Sequence, residues 1–244
     1  GLPNESWSSA GNDQDQCEVV WPEGGSSPDP CSGGCPQPEN LCDPEGEVTP
    51  DDCGCFSCYS PIFLQLGGGR IEFSSAQNGI LFDMFGTRRW TKLAWPVSEG
   101  AAWLALDRNH NGTIDDGTEL FGNTRWLAIG RFARNGYEVL SELDENGDGV
   151  VDGNDAAFDA LLLWGDRNRD GRSDESETLT LRAAGIRALH SEATESGRTD
   201  RWGNRFQYRA KVDSTIPPLE SFSYDVFLVS ERIASGAVGA QRAE

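Results

Sequence analysis

Methionine and histidine are scarce, with one Met and two His in 244 residues. That leaves little material for His-based acid–base catalysis or a His-rich metal centre. No stretch approaches the ~18 apolar residues that a membrane helix needs, so no membrane span is expected. Basic residues are missing from the first 69 positions, the first being Arg70, and the whole chain carries 40 acids against 20 bases for a net charge of −20. Phosphate backbones demand clustered Lys and Arg, so no nucleic-acid partner is expected. There is no H-E-x-x-H, no G-x-S-x-G and no phosphate loop, and therefore no catalytic residue and no enzyme is expected. The chain opens on Gly1 without an initiator Met or a signal peptide, as a processed or trimmed chain does.

What is present falls into two acidic features and a near-neutral remainder. Residues 1–69 hold 12 acids and no base, and the segments 107–119, 144–155 and 166–177 together carry −10. The rest of the chain sums to +2. Hydrophobic residues make up 37 %, enough for one substantial core or two small ones.

Residues 1–60 read as a separate Cys/Pro/Gly-rich acidic arm, 61–230 as the folded domain and 231–244 as a tail. Nine of the 12 prolines fall in residues 1–61, and all seven cysteines lie in the arm: Cys17, Cys31, Cys35, Cys42, Cys53, Cys55 and Cys58. The arm has no apolar periodicity and cannot fold by hydrophobic collapse. Clustered cysteines in such a segment point to disulfides in an oxidising compartment. Seven is odd, so at least one thiol is free or bonds another chain. The competing reading is a zinc site from Cys31, Cys35, Cys53, Cys55 and Cys58, although paired C-x2-C knuckles are missing.

The three acidic segments share one spacing. In 144–155, oxygen ligands stand at loop positions 1, 3, 5 and 9 (Asp144, Asn146, Asp148 and Asp152). Val150 offers a carbonyl at position 7, and Asp155 closes at position 12. Gly149 takes position 6, where the sharp turn needs a positive φ. Segment 166–177 repeats this with Asp166, Asn168, Asp170, Gly171, the Arg172 carbonyl, Asp174 and Glu177. Segment 107–119 has Asp107, Asn109, Asn111, Gly112, the Thr113 carbonyl and Asp115, with its closing acid one place late at Glu119. Six to eight hard oxygens around one ion suit Ca²⁺, so about three calcium sites are expected. One Asp/Asn/Gly run alone would read as a solvated turn, but three within 71 residues make a repeat.

The expected fold class is α+β, with short antiparallel strands packed on EF-hand-like helix–loop–helix units. Helices are expected at 137–143, 155–164 and 176–184, the second shared by two loops, and Gly185 as the last cap. Strands are expected at 61–66, 70–74, 79–85, 186–191, 204–212 and 222–230. Trp90, Trp95, Trp103, Trp126, Trp164 and Trp202 are expected to pack the core.

From Pro61 to about Val229, the chain resembles the calcium-binding modules of secreted bacterial RTX-type proteins. These include the self-processing module of iron-regulated RTX proteins. The resemblance rests on Pro61-Ile62, Asn78–Asp83, Trp95, Leu104–Asp107, Asp115–Gly122, Glu142–Asp144 and Asp155–Phe158. It implies a secreted, calcium-dependent fold, and it accounts for the late acid at Glu119. Two further upstream loops of that pattern look inactive here. One has Gln65, Gly67 and Gly69 in ligand positions, and the other keeps Asp83 but has Phe85 and Thr87. In self-processing members calcium promotes cleavage of an Asp-Pro bond, and this chain has Asp29-Pro30 and Asp43-Pro44.

The expected function is a secreted, extracellular, non-enzymatic calcium-binding structural protein. It would assemble with copies of itself into a filament or surface structure through the arm. The alternatives are a monomeric adhesion module of a larger assembly and a calcium-activated Asp-Pro self-processing protein.

Overall fold

The computed structural model describes residues 59–88, 90–217 and 220–231, which belong to the unit Phe56–Glu244. The cysteines, both Asp-Pro pairs and residues 1–58 lie outside the described residues.

The sequence Ile-Phe-Leu-Gln forms β1 (Ile62–Gln65), whose three apolar side chains are all buried. A strand buried on both faces belongs inside a sheet, and β1 has an antiparallel partner on each side. These are β4 (Ala101–Ala105), with Phe63 opposite Trp103, and β11 (Glu220–Phe227), with Ile62 opposite Asp225. On β10 (Arg205–Ser214), Phe206, Tyr208, Ala210 and Val212 alternate inward with polar residues outward. The sheet is completed by β5 (Val150–Asp152), β6 (Leu162–Trp164), β7 (Thr178–Thr180), β8 (Ile186–His190) and β9 (Thr194–Thr199). Its order is β5-β8-β10-β11-β1-β4-β6-β7, and β9 also pairs with β10. A smaller sheet joins β2 (Ile80–Phe82), β3 (Thr91–Leu93) and β12 (Ser230–Glu231) in the order β12-β3-β2.

The expectation of an α+β fold built on EF-hand helix units is wrong. The domain is mostly β, a curled antiparallel half-barrel sheet. Its one α-helix among the described residues is α1 (Gly136–Ser141), capped by the Asn135 side chain on the N–H groups of Tyr137 and Glu138. The helix expected over 155–164 is a single 3-10 turn at Phe158–Ala160 followed by strand β6. A short apolar run such as Leu161–Trp164 fits either element by pattern. The free edge of β4 decides it, because Trp164 stands opposite Trp103 there. The helix expected over 176–184 is replaced by β7, whose β-branched Thr178 and Thr180 extend the sheet from β6. Gly185 does adopt positive φ, at 74°. Of the expected strand at 70–74 only a Phe73–Pro96 bridge forms.

The core is an aromatic stack between the two sheets. Trp95 lies 5.2 Å from Trp103 and 5.7 Å from Trp164, centroid to centroid, and Phe82 lies 5.8 Å from Trp164. Trp90, Trp126 and Trp202 do not join it, against an expectation that all six would be core: Trp90 is half-buried, and Trp126 and Trp202 are 42 % and 40 % exposed.

One acid is buried in the sheet. Asp225 is fully enclosed, and its Oδ2 accepts the N–H of Gly136 at 2.6 Å. Its Oδ1 lies beside Ser60, without a well-formed partner. Burial holds its carboxyl well above the usual range, with the Gly136 N–H and Ser60 pulling the other way. The folded state therefore keeps a proton that the unfolded chain releases above about pH 4. This contribution to stability is whole below about pH 4 and is lost as pH rises toward the folded pKa, by at most ~1.4 kcal/mol per pH unit. Asp225→Asn should match the parent near pH 4 and exceed it increasingly at pH 6 and 8 in urea unfolding. A gap that does not widen with pH would show the carboxyl to be ionised.

Candidate metal centre

The three acidic segments hang from strand ends. The 107–119 loop leaves β4, the 144–155 loop follows α1 and contains β5, and the 166–177 loop joins β6 to β7. Their backbones close in the same way. In each, the first Asp accepts the N–H groups of positions 5 and 6. Asp107 takes Asn111 (3.1 Å) and Gly112 (2.9 Å). Asp144 takes Asp148 (3.2 Å) and Gly149 (2.8 Å), and Asp166 takes Asp170 (3.1 Å) and Gly171 (3.0 Å). The middle residues make Asx turns onto the chain two places on. Asn109, Asn111, Asn146, Asp148, Asn168, Asp170 and Asp174 each accept such an N–H. Asp152 does the same with Asn154.

The position-6 glycines have φ of 81°, 87° and 73°. Position 4 is also left-handed in every loop, at His110 (57°), Gly147 (72°) and Arg169 (61°). Sequence reasoning missed position 4 because Arg carries no left-handed signal and His only a mild one. A Cβ on Gly149 would meet nothing within 4 Å, so its cost is purely conformational. Gly149→Ala should cost about 1–2 kcal/mol in thermal or urea unfolding. A change below ~0.3 kcal/mol would mean that the loop relaxes out of this conformation.

The closing acids differ. Glu119 is fully buried, and its Oε2 accepts the Asp115 N–H at 3.0 Å while Oε1 has no partner. Glu177 is 6 % exposed, and its Oε1 accepts the N–H groups of Arg167 and Asn168 at 2.7 and 3.1 Å while Oε2 has none. Asp155 spends both oxygens on N–H groups, of Glu145 and Asp152, each at 2.9 Å. Burial pushes Glu119 up to about 7, with Asp116, Asp115 and Asp107 adding to it and the Asp115 N–H opposing. Burial likewise pushes Asp166 up to about 6, against the Gly171 N–H and helped by Glu177 and Asp170. These are enclosed carboxyls short of positive charge, which a bound cation would supply. Hard oxygen donors with one buried orphan oxygen in each of two closing acids fit calcium chemistry.

Position-7 carbonyls belong to Thr113, Val150 and Arg172, of which Thr113 and Val150 are half-buried and Arg172 is exposed. Among the described residues no three His, Cys, Asp or Glu side chains converge on one point. The loop acceptors turn instead onto their own N–H groups.

The loops also pair. Ser173 donates its N–H to the Ile114 carbonyl at 2.8 Å, and Ile114 donates its own to Ser173 Oγ at 2.7 Å. Both are position 8, so the 107–119 and 166–177 loops lie back to back. The 144–155 loop pairs its position 8, Val151, with Leu189 of β8 instead.

A fourth loop of the same form stands at 83–88. Asp83 is 3 % exposed and accepts the N–H groups of Thr87 and Arg88 at positions 5 and 6. Positions 4 and 6, Gly86 and Arg88, both have φ of 65°. Phe85 and Thr87 deny it side-chain carboxylates, so the loop keeps the turn without the ligand set.

These features define a β-module carrying a repeated Asp-loop. The chain matches the SPM domain family over residues 62–216 and belongs to that family. The iron-regulated protein FrpA of Neisseria meningitidis serogroup C is 42 % identical to it over 145 residues, which is 59 % of this chain and 13 % of FrpA. This chain thus spans about an eighth of that relative, and the match agrees with the RTX-related resemblance read from the sequence. Among the described residues no helix is long and apolar enough to cross a membrane.

Proposed function

We propose that this chain is a secreted, non-enzymatic calcium-binding module, in which ions in three loops hold the strand ends together. The observation that carries the reading is the shared loop closure together with the unpartnered buried oxygens of Glu119 and Glu177. Asp107, Asn109, Asn111, Thr113, Asp115 and Glu119 would hold one ion. Asp166, Asn168, Asp170, Arg172, Asp174 and Glu177 would hold a second. Asp144, Asn146, Asp148, Val150, Asp152 and Asp155 would hold a third, the weakest, because Asp155 already satisfies both its oxygens. Calorimetric titration of the metal-free chain should find about three calcium ions. Glu177→Gln should lose one of the two tighter sites. No calcium uptake, or an unchanged isotherm in the variant, would overturn the reading.

Self-assembly into a filament is the finer part of this reading. The described edge strands β5 and β7 carry backbone groups suited to strand addition. Negative-stain images of the calcium-loaded chain should show polymers. Monodisperse particles with and without calcium would remove the filament and leave the module.

A further inference from the structure

Arg108 and Arg125 are out of place in a chain with two acids for every base. Other arginines of the domain have partners. Arg131 and Arg134 grip Glu138, Arg182 grips Asp159, and Arg167 reaches the Ser176 carbonyl. The Nε–H groups of Arg108 and Arg125 are shielded from solvent and have no acceptor among the described residues. The two guanidiniums stand near enough to repel each other, while Glu142 and Glu119 attract Arg108 without an ion pair. The Phe121 ring lies 5.1 Å from the Arg108 guanidinium. A ring engages the guanidinium face and leaves its N–H edge unsatisfied. Both side chains line one cavity of about 460 Å³, beside Asn109, His110 and Thr118. Like charges drawn together and partly removed from water are costly unless an anion joins them.

We propose that this cavity is an oxyanion site, in which Arg108 and Arg125 together take a carboxylate or a tetrahedral oxyanion carried by a ligand. Guanidinium forks match both shapes through paired N–H donors. Asp107 also lines the cavity and opposes an anion. Glu119 and Glu142 also act on Arg108, and a cation in the first loop would cancel Asp107 and Glu119, so the site rests in part on the calcium reading.

The test uses the full chain in millimolar CaCl2, with arginine Nε–H resonances followed while sodium acetate or sodium sulfate replaces NaCl at constant ionic strength. Acetate probes the carboxylate and sulfate the tetrahedral group. The Arg108 and Arg125 signals should shift saturably with at least one of them, at a midpoint on the order of 1–10 mM. Arg70, whose side chain is 90 % exposed, should drift linearly. Arg125→Gln should abolish the saturable shift of Arg108. Arg125→Lys, which keeps the charge and loses the fork, should raise the midpoint about tenfold. Saturation with acetate alone, sulfate alone or both supports the site and assigns its preference. No saturation with either anion, or an equal drift at Arg70, means an adventitious ion only and overturns it. If Arg125→Gln does not fold, an unchanged midpoint in Arg125→Lys overturns it as well. Failure here alongside three bound calcium ions would leave the proposed function standing.

Discussion

Removing calcium should lower the melting temperature of this chain by about 20 °C. An ion held at 100-fold saturation contributes about 2.7 kcal/mol, so three contribute roughly 8 kcal/mol. Folded domains hold only about 5–15 kcal/mol in total. At ~2–4 °C per kcal/mol for a domain of this size, the shift is large. Repulsion adds to it, since the three loops carry −10 when empty. The enclosed carboxyls of Glu119 and Asp166 would be left without compensation. Calorimetry in calcium and in EGTA at matched ionic strength measures this. Magnesium should not restore the transition, because it demands tighter octahedral geometry. A shift below about 3 °C would remove calcium from the account of stability.

Trp164→Ala should cost about 3–5 kcal/mol, the range for a large buried aromatic. Trp164 is fully buried, meets Trp95 edge-on and Phe82 at a tilt, and stands opposite Trp103. It also precedes Asp166 by two residues, at the strand end from which the third loop hangs. The variant should therefore lose stability and weaken calcium binding at the 166–177 loop together. Trp202→Ala removes the same side chain at 40 % exposure and should stay within about 0.5 kcal/mol. Urea unfolding and calcium titration of both variants make the comparison. Equal effects at the two positions would mean that the aromatic stack does not set the loop.

The loops were the legible part of this chain, because Asx turns and left-handed glycines are local chemistry. Asp107, Asp144 and Asp166 each reach N–H groups only four and five residues on, and their spacing is visible without any fold. The left-handed His110 and Arg169 were not legible, since Arg has no preference for that conformation and His only a mild one. The 83–88 loop was judged only by its missing ligands. Its backbone kept the form because Asp83 alone satisfies the turn. The flanking elements were misread for a different reason. Leu162-Leu163-Trp164 is apolar throughout, so its pattern carries no period, and only the open edge of β4 made it a strand.

By itself the sequence determined the register and charge of the three carboxylate-rich Asp-loops, the alternation of β10, and membership in a family whose match spans residues 62–216. Tertiary structure alone decided that the 107–119 loop lies against the 166–177 loop while 144–155 pairs with β8. It also decided that Arg108 and Arg125 share a cavity and that Asp225 is enclosed. The division follows the reach of the interactions. Turn chemistry acts over about five residues and is written in neighbours, whereas tertiary contacts join distant residues, as Ile114 joins Ser173 across 59 places and Gly136 joins Asp225 across 89.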